Sequence, residues 1–278
     1  MALTEWLRQR IENSYITTDN SWRVTTGAGL DISIGNISGV SYYHKFGVSP
    51  DFDTADNVIT IWDGADDGGI DIMNYVYSAT ADIDSLSSSN NGDTQDIEVQ
   101  GLDSNFNLLV QTLTLTGQTR VALPIPLIRV FRIKNEGTTD FAGLVYCYVN
   151  TAIVTGVPVD KSKIRAIVDD GNNQTLMAIY TIPNGKTGYM RGWYASTAGS
   201  SKTSQYIIDL YARKFNGVFQ LKHRSSISDI ATSYVHHNYD EPEMFLEKTD
   251  IEMRAQATAV GASGCTVAAG FDIVLVDN

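Results

Sequence analysis

Two carboxylates two residues apart, Asp250 and Glu252, pose the first question of chemistry, because a strand puts residues i and i+2 on one face. A hydrolase can use such a pair as general acid and nucleophile or base. Lys248 and Arg254 share that face, and a cross-strand ion-pair ladder accounts for all four charges without any catalysis. In TDIEMRAQAT, Asp250, Glu252, Arg254 and Gln256 alternate with Ile251, Met253, Ala255 and Ala257. This predicts an antiparallel strand with one wet face. A second acidic group lies in DFDTADNVITIWDGADDGGID, where seven aspartates sit among glycines. Gly-rich carboxylate loops can hold Ca²⁺ through hard oxygen ligands, which nominates Asp63, Asp66 and Asp67. Their spacing matches no calcium loop and lacks a closing glutamate, so a solvated acidic face without a metal is expected.

The histidines give less. Adjacent strand residues point to opposite faces, so His236 and His237 do not share a metal. His44, in SYYHKF, is expected to cover aromatic surface, and His223 to serve structure. No serine sits in a G-x-S-x-G elbow. NGKTG (184–188) resembles a phosphate loop only superficially, since Tyr180 occupies the required earlier glycine position and a strand follows where a helix is needed. Cys147 and Cys265 lie in strand-like runs and read as small buried hydrophobes, neither a disulfide framework nor a metal site. Tyr42, Tyr43, Trp62, Tyr75, Tyr77, Tyr146 and Tyr148 would suit a sugar-stacking platform, but strand alternation turns about half of such a set inward. No catalytic, cofactor-binding or metal-binding residue is assigned, and the chain is not expected to be an enzyme.

The elements that must carry these residues follow from composition. In 278 residues only 19% are charged, while Gly (23) and Tyr (14) are plentiful and 43% are hydrophobic. That profile fits a turn-rich β-protein with a sizeable core and opposes a helical bundle. The net charge of −12 repels phosphate backbones, so no direct nucleic-acid partner is expected. No run of apolar residues is long enough to span a membrane, so no membrane partner is expected either. MALTEWLRQRIENSY lacks the apolar stretch of an export signal. The acid is unevenly spread: residues 1–160 hold 20 acidic and 8 basic residues, residues 161–278 hold 12 of each.

Leu3, Leu7 and Ile11 recur every four residues beside Trp6, with Glu5, Arg8, Gln9 and Glu12 on the other side. This predicts a short amphipathic helix, too short to stand alone, whose Leu3, Trp6, Leu7 and Ile11 dock on a partner. An extended arm with one or two short strands continues to residue 36. Strand signals alternate with clusters such as DGADDGG, SSSNNGD and NEGTTD, and no helix-period segment long enough for a crossover appears, which excludes a parallel sheet. Asn216-Gly217, between YIIDLYARKF and VFQLKH, is a hairpin signal. The expected fold is all-β: two antiparallel, jelly-roll-like β-sandwich domains, residues 37–155 and 156–278, joined near 151–173, behind the helix and arm of residues 1–36.

Two long stretches carry a resemblance. YSATADIDSLSSSNNGDTQDIEVQGLDSNFNLLVQTLTLTGQTRV and LIRVFRIKNEGTTDFAGLV resemble virion structural proteins of marine tailed bacteriophages, in which a Ser/Asp-rich turn precedes a strand ending G-L-D, a T-G-x-T turn and an R-V-x-R strand. YTIPNGKTGYM, IIDLYARKFNGVFQLKH, EKTDIEMRAQAT and FDIVLVDN are similar to the same proteins, so the resemblance spans about residues 60–278. It implies a structural part of the particle, a capsid decoration, cement or head-associated protein, with no catalytic residues to carry over. The alternatives are a tail or fibre adhesin that binds host-surface glycans and, more distantly, a hydrolase of the host envelope. The implied partners are copies of itself, as a homotrimer by analogy, and other virion proteins such as the major capsid protein. The implied location is the virion, assembled in the bacterial host cytoplasm.

Overall fold

A computed structural model describes residues 15–16, 22–23, 29–52, 58–64, 74–198, 204–229, 232–259 and 265–278. The docking residues Leu3, Trp6, Leu7 and Ile11, with Asp66 and Asp67, lie outside the described residues. The chain divides into a small unit, residues 1–42, and a large one, residues 43–278. In the small unit, β1 (Tyr15–Ile16) pairs antiparallel with β2 (Trp22–Arg23), the short strands expected of the arm. A one-turn helix follows, α1 (Gly29–Ser33), which the sequence reading did not anticipate.

The large unit is built from antiparallel strands. After β3 (Val40–Phe52) and β4 (Ile59–Thr60) come β5 (Ile83–Ser88), β6 (Asp96–Leu102), β7 (Leu108–Thr114), β8 (Val121–Leu127), β9 (Arg129–Asn135) and β10 (Val145–Val149). The hairpin β11 (Ile153–Val154) and β12 (Val157–Pro158) leads to β13 (Ile164–Val168) and β14 (Ile179–Thr181). The chain ends in long strands: β15 (Lys186–Ala198), β16 (Ser204–Lys214), β17 (Gln220–Asp229), β18 (Thr232–Phe245), β19 (Thr249–Ala259) and β20 (Cys265–Asp277). Their order is β13-β10-β5-β8 and β7-β6-β9 in one part, β14-β19-β16-β17 and β18-β15-β20-β3 in the other, with β4 added to β19. Ile164–Val168, which the sequence reading put in the join, pairs with β10 and is wholly buried.

Local chemistry explains several choices. Prolines cannot donate to a ladder, and Pro124 with Pro126 in β8 and Pro242 in β18 fall on strands at sheet edges. The Asn-Gly signal is realised between β16 and β17, where Asn216 takes a left-handed φ of +59°. The described residues 74–79, though rich in aromatic residues, form no strand. There the backbone N–H of Tyr75 donates to Thr60 Oγ1 (3.0 Å) and the Tyr75 ring meets Trp62 edge-on, so aromatic packing takes the place of a ladder. Of the seven first-half aromatics, Trp62, Tyr75, Tyr146 and Tyr148 are buried, which disperses the sugar-stacking platform into the core.

β19 ties the two parts together. Ile251, Met253 and Ala255 pack on one side with Trp193, Phe271 and Ile273 in the core. The opposite face was expected to be wet, yet Asp250 and Glu252 are fully buried. Elements from the first part cover it. Lys45 of β3 adds a second tie, its ammonium donating to the Phe131 carbonyl of β9. Burial, with Arg132 adding to it, lowers the Lys45 pKa from 10.5 to about 7. Between these values the unfolded chain holds a proton the folded chain lacks, so this group makes stability rise with pH from about 7 to 10.5. Lys45→Met is expected to flatten that rise in melts followed across the range; an unchanged slope would assign it elsewhere.

Candidate functional site

The only paired carboxylates nominated by sequence sit in a closed charge cluster. Asp250 accepts from Arg129 Nε (2.8 Å) and Nη2 (3.0 Å), Arg213 Nε (3.1 Å) and Thr181 Oγ1 (2.7 Å). Arg129 donates its remaining Nη1 protons to the carbonyls of Ser78 (2.6 Å) and Ile128 (2.8 Å). Glu252 accepts from Tyr77 Oη (2.8 Å) on one oxygen and from Arg254 on the other. The guanidinium carbons of Arg213 and Arg254 flank the Phe219 ring at 4.4 and 4.7 Å, and Arg213 also lies over Tyr77 at 4.5 Å. Burial pushes Glu252 above the usual carboxylate range, while Arg254 and Tyr77 pull it back part of the way. Burial and then the Glu252 charge hold the Tyr77 phenol well above its ordinary value.

This arrangement can bind a fold together and can do little else. General acid–base work requires contact with a substrate proton. Asp250 and Glu252 have no solvent access, and strong donors occupy their oxygens. Lys248, read as sharing their face, instead turns at φ +60° between β18 and β19. Sequence reasoning missed Arg129, Arg213 and Tyr77 as partners. One signal was available: a cation in the apolar run LIRVFRI needs a buried acid, because an unpaired charge is not tolerated there.

Asp63 is also a structural residue. It is buried, its Oδ2 accepts from the Leu176 N–H (2.7 Å), and its own N–H donates to the Leu176 carbonyl (3.0 Å). It therefore does not belong to a solvated acidic face. Among the described residues no group of three metal-ligating side chains converges.

The histidines separate as strand alternation requires. His237 faces inward, its ring 4.3 Å from His223 of β17 and 6.0 Å from Trp193. His236 faces outward and stacks with Tyr234. His44 Nδ1 bonds Asp272 Oδ1 (2.7 Å), and its Nε2 meets Tyr194 Oη (3.1 Å), a carboxylate–imidazole–phenol chain on the outer face of β3, β20 and β15. Burial, then the neighbouring His237, lowers the His223 pKa below 6.5, against a smaller opposing pull from Glu243. The neutral form is favoured in the fold, so this contribution to stability is complete above about 6.5 and lost as pH falls below it. His223→Phe is expected to reduce the fall in melting temperature between about pH 7 and 5. An undiminished fall would place the sensitivity on other groups.

A final feature is an open cleft of about 560 Å³ between the β16–β17 turn and the end of β18. Val218, Met244 and Leu246 line it while remaining 79%, 55% and 46% exposed, and Arg213, Lys214 and Lys222 supply its positive charge. Lys222 pairs with Glu243 (3.3 Å) and Arg213 with Asp250, whereas Lys214 has no acidic partner among the described residues.

No family model matches the chain, and no curated protein does. Among solved structures it is similar to one from Broad Bean Stain Virus, 11% identical, covering 73% of this chain and 86% of that one, TM-score 0.24. It is similar also to the infectious bursal disease virus Gx strain structure, 8% identical, covering 86% and 71%, TM-score 0.21. A third is the PBSX exported protein XepA, 9% identical, covering 93% and 92%, TM-score 0.19.

Proposed function

We propose that the chain is a structural protein of a bacteriophage particle, a non-catalytic decoration or cement protein of the head that works as a homo-oligomer, most simply a trimer. Two jelly-roll-like sandwiches form its body, and the N-terminal segment with Leu3, Trp6, Leu7 and Ile11 attaches it to the particle. The observation that carries this reading is the use made of the carboxylates. Asp250 and Glu252, the pair best spaced for hydrolysis, are sealed beneath Arg129, Arg213 and Arg254, where they lock the sheets together. A rigid module of this kind suits a shell component that must resist stress. The resemblance over residues 60–278 supports the same reading, and so does the segregation of charge, which gives the acidic part a reason to meet a basic partner.

The reading is tested with particles made without the protein. Purified protein added back is expected to bind saturably in a fixed ratio to the shell subunit and to raise the temperature at which particles rupture. Binding that tracks host glycan instead, with bare particles ignored, would favour the adhesin and defeat the proposal.

A further inference from the structure

The cleft between the β16–β17 turn and the end of β18 combines two features that a folded chain seldom leaves open together. Val218, Met244 and Leu246 form an apolar lining exposed to water. Such a patch rimmed by charge marks an interaction surface. Lys214 brings a cation without an acidic partner among the described residues, and Lys222 and Arg213 stand beside it.

The same chain carries a complementary surface. The loops after β9 and β13 are bound to each other: the Gly171 N–H donates to the Phe141 carbonyl (3.3 Å), and Asn173 Nδ2 donates to Asp140 Oδ1 (2.7 Å). This fixes Asp140, Asp169 and Asp170 in one tip, and none of the three has a basic partner among the described residues. Burial, then a side-chain hydrogen bond with Asp170, raises the Asp169 pKa, and a cationic surface would favour its charged form.

We propose that the cleft receives the acidic tip of a second copy of this chain, so that copies join head to tail through Lys214 and its apolar neighbours. The inference rests on the reading of the protein as a homo-oligomer and names the surface that makes it. An interface between unlike patches closes into a ring when its rotation permits, and three copies would close a trimer. Charge complementarity sets the register, and burial of Val218, Met244 and Leu246 holds it, so the contact should weaken with salt without vanishing.

The test is a charge swap read by solution mass. One variant makes the cleft acidic, Lys214→Glu with Gln220→Glu. The other makes the tip basic, Asp170→Lys with Asn172→Lys. All four positions are exposed or partly exposed and lie outside the buried charge cluster. The wild type at about 50 μM is expected to sediment at two or more times its monomer mass. Each variant alone is expected to be a monomer with an unchanged melting temperature. A chain carrying all four substitutions should regain the wild-type mass, because its basic tip then meets the acidic cleft of the next copy in a ring of any number. Recovery in the combined variant also shows that the four substitutions leave the chain folded. A wild type that stays monomeric overturns the inference, even if the cleft variant fails to join particles, since the cleft would then serve another protein. Variants that keep the wild-type mass, or a combined variant that does not recover it, overturn it too. Those last results leave the virion role standing, whereas absence from particles would defeat the role and say nothing of the cleft.

Discussion

Asp250→Ala is expected to lower the unfolding free energy by about 3–5 kcal/mol, because it strips the counter-charge from a buried arginine. Arg129 is almost fully buried, and its Nε and Nη2 both face Asp250. Without the carboxylate, that guanidinium keeps only the carbonyls of Ser78 and Ile128. Arg213 and Thr181 lose an acceptor in the same step. Asp250→Asn preserves the shape and one of the two acceptor oxygens while removing the charge, and should cost less than alanine. Denaturant melts of the two variants separate the charge from the space it fills. Equal, small losses in both would show that the cluster contributes little.

The second large effect is expected at Asp93, in the SSSNNGD turn. Its carboxylate is buried and accepts from the N–H groups of Ala142 (2.9 Å) and Gly143 (3.1 Å) and from Ser88 Oγ (2.5 Å). Its carbonyl accepts from the Gly117 N–H (2.8 Å), and the Ser88 N–H donates to the Gly117 carbonyl (3.0 Å). One aspartate thus ties the Ser/Asp-rich turn to the T-G-x-T turn and to the loop before β10. Asp93→Ala leaves two buried donors, the Gly143 N–H and the Ser88 hydroxyl, without their acceptor, at about 1–3 kcal/mol each. Amide hydrogen exchange should show early opening of residues 88–93, 115–119 and 142–144. Protection there equal to wild type would contradict the account.

These two residues also mark how far the sequence could be read. The alternation of TDIEMRAQAT and the run YIIDLYARKF ahead of Asn216-Gly217 correspond to β19 and β16, since a strand with one apolar face advertises it at period two. β8 and β18 went unread because edge strands carry the prolines and polar residues that normally argue against a strand. The polar face of β19 was visible but its burial was not. Its covering partner, Arg129, is 121 residues away, and no local pattern reports such a contact. For the same reason the Ser/Asp-rich turn could be recognised from its composition while the buried knot around Asp93 could not. Among the candidate site residues, Glu252 pairs with Arg254 from the expected set, Asp250 takes Arg129 and Arg213 in place of Lys248, and Asp63 is a backbone staple.

The central claim, a structural protein of the particle, is tested most directly by cryo-electron microscopy of purified virions combined with quantitative mass spectrometry. The account predicts a fixed, symmetric copy number on the shell, with β-sandwich density into which residues 43–278 fit as one body. Absence of the chain from purified particles, with the protein left free in the lysate, would contradict it.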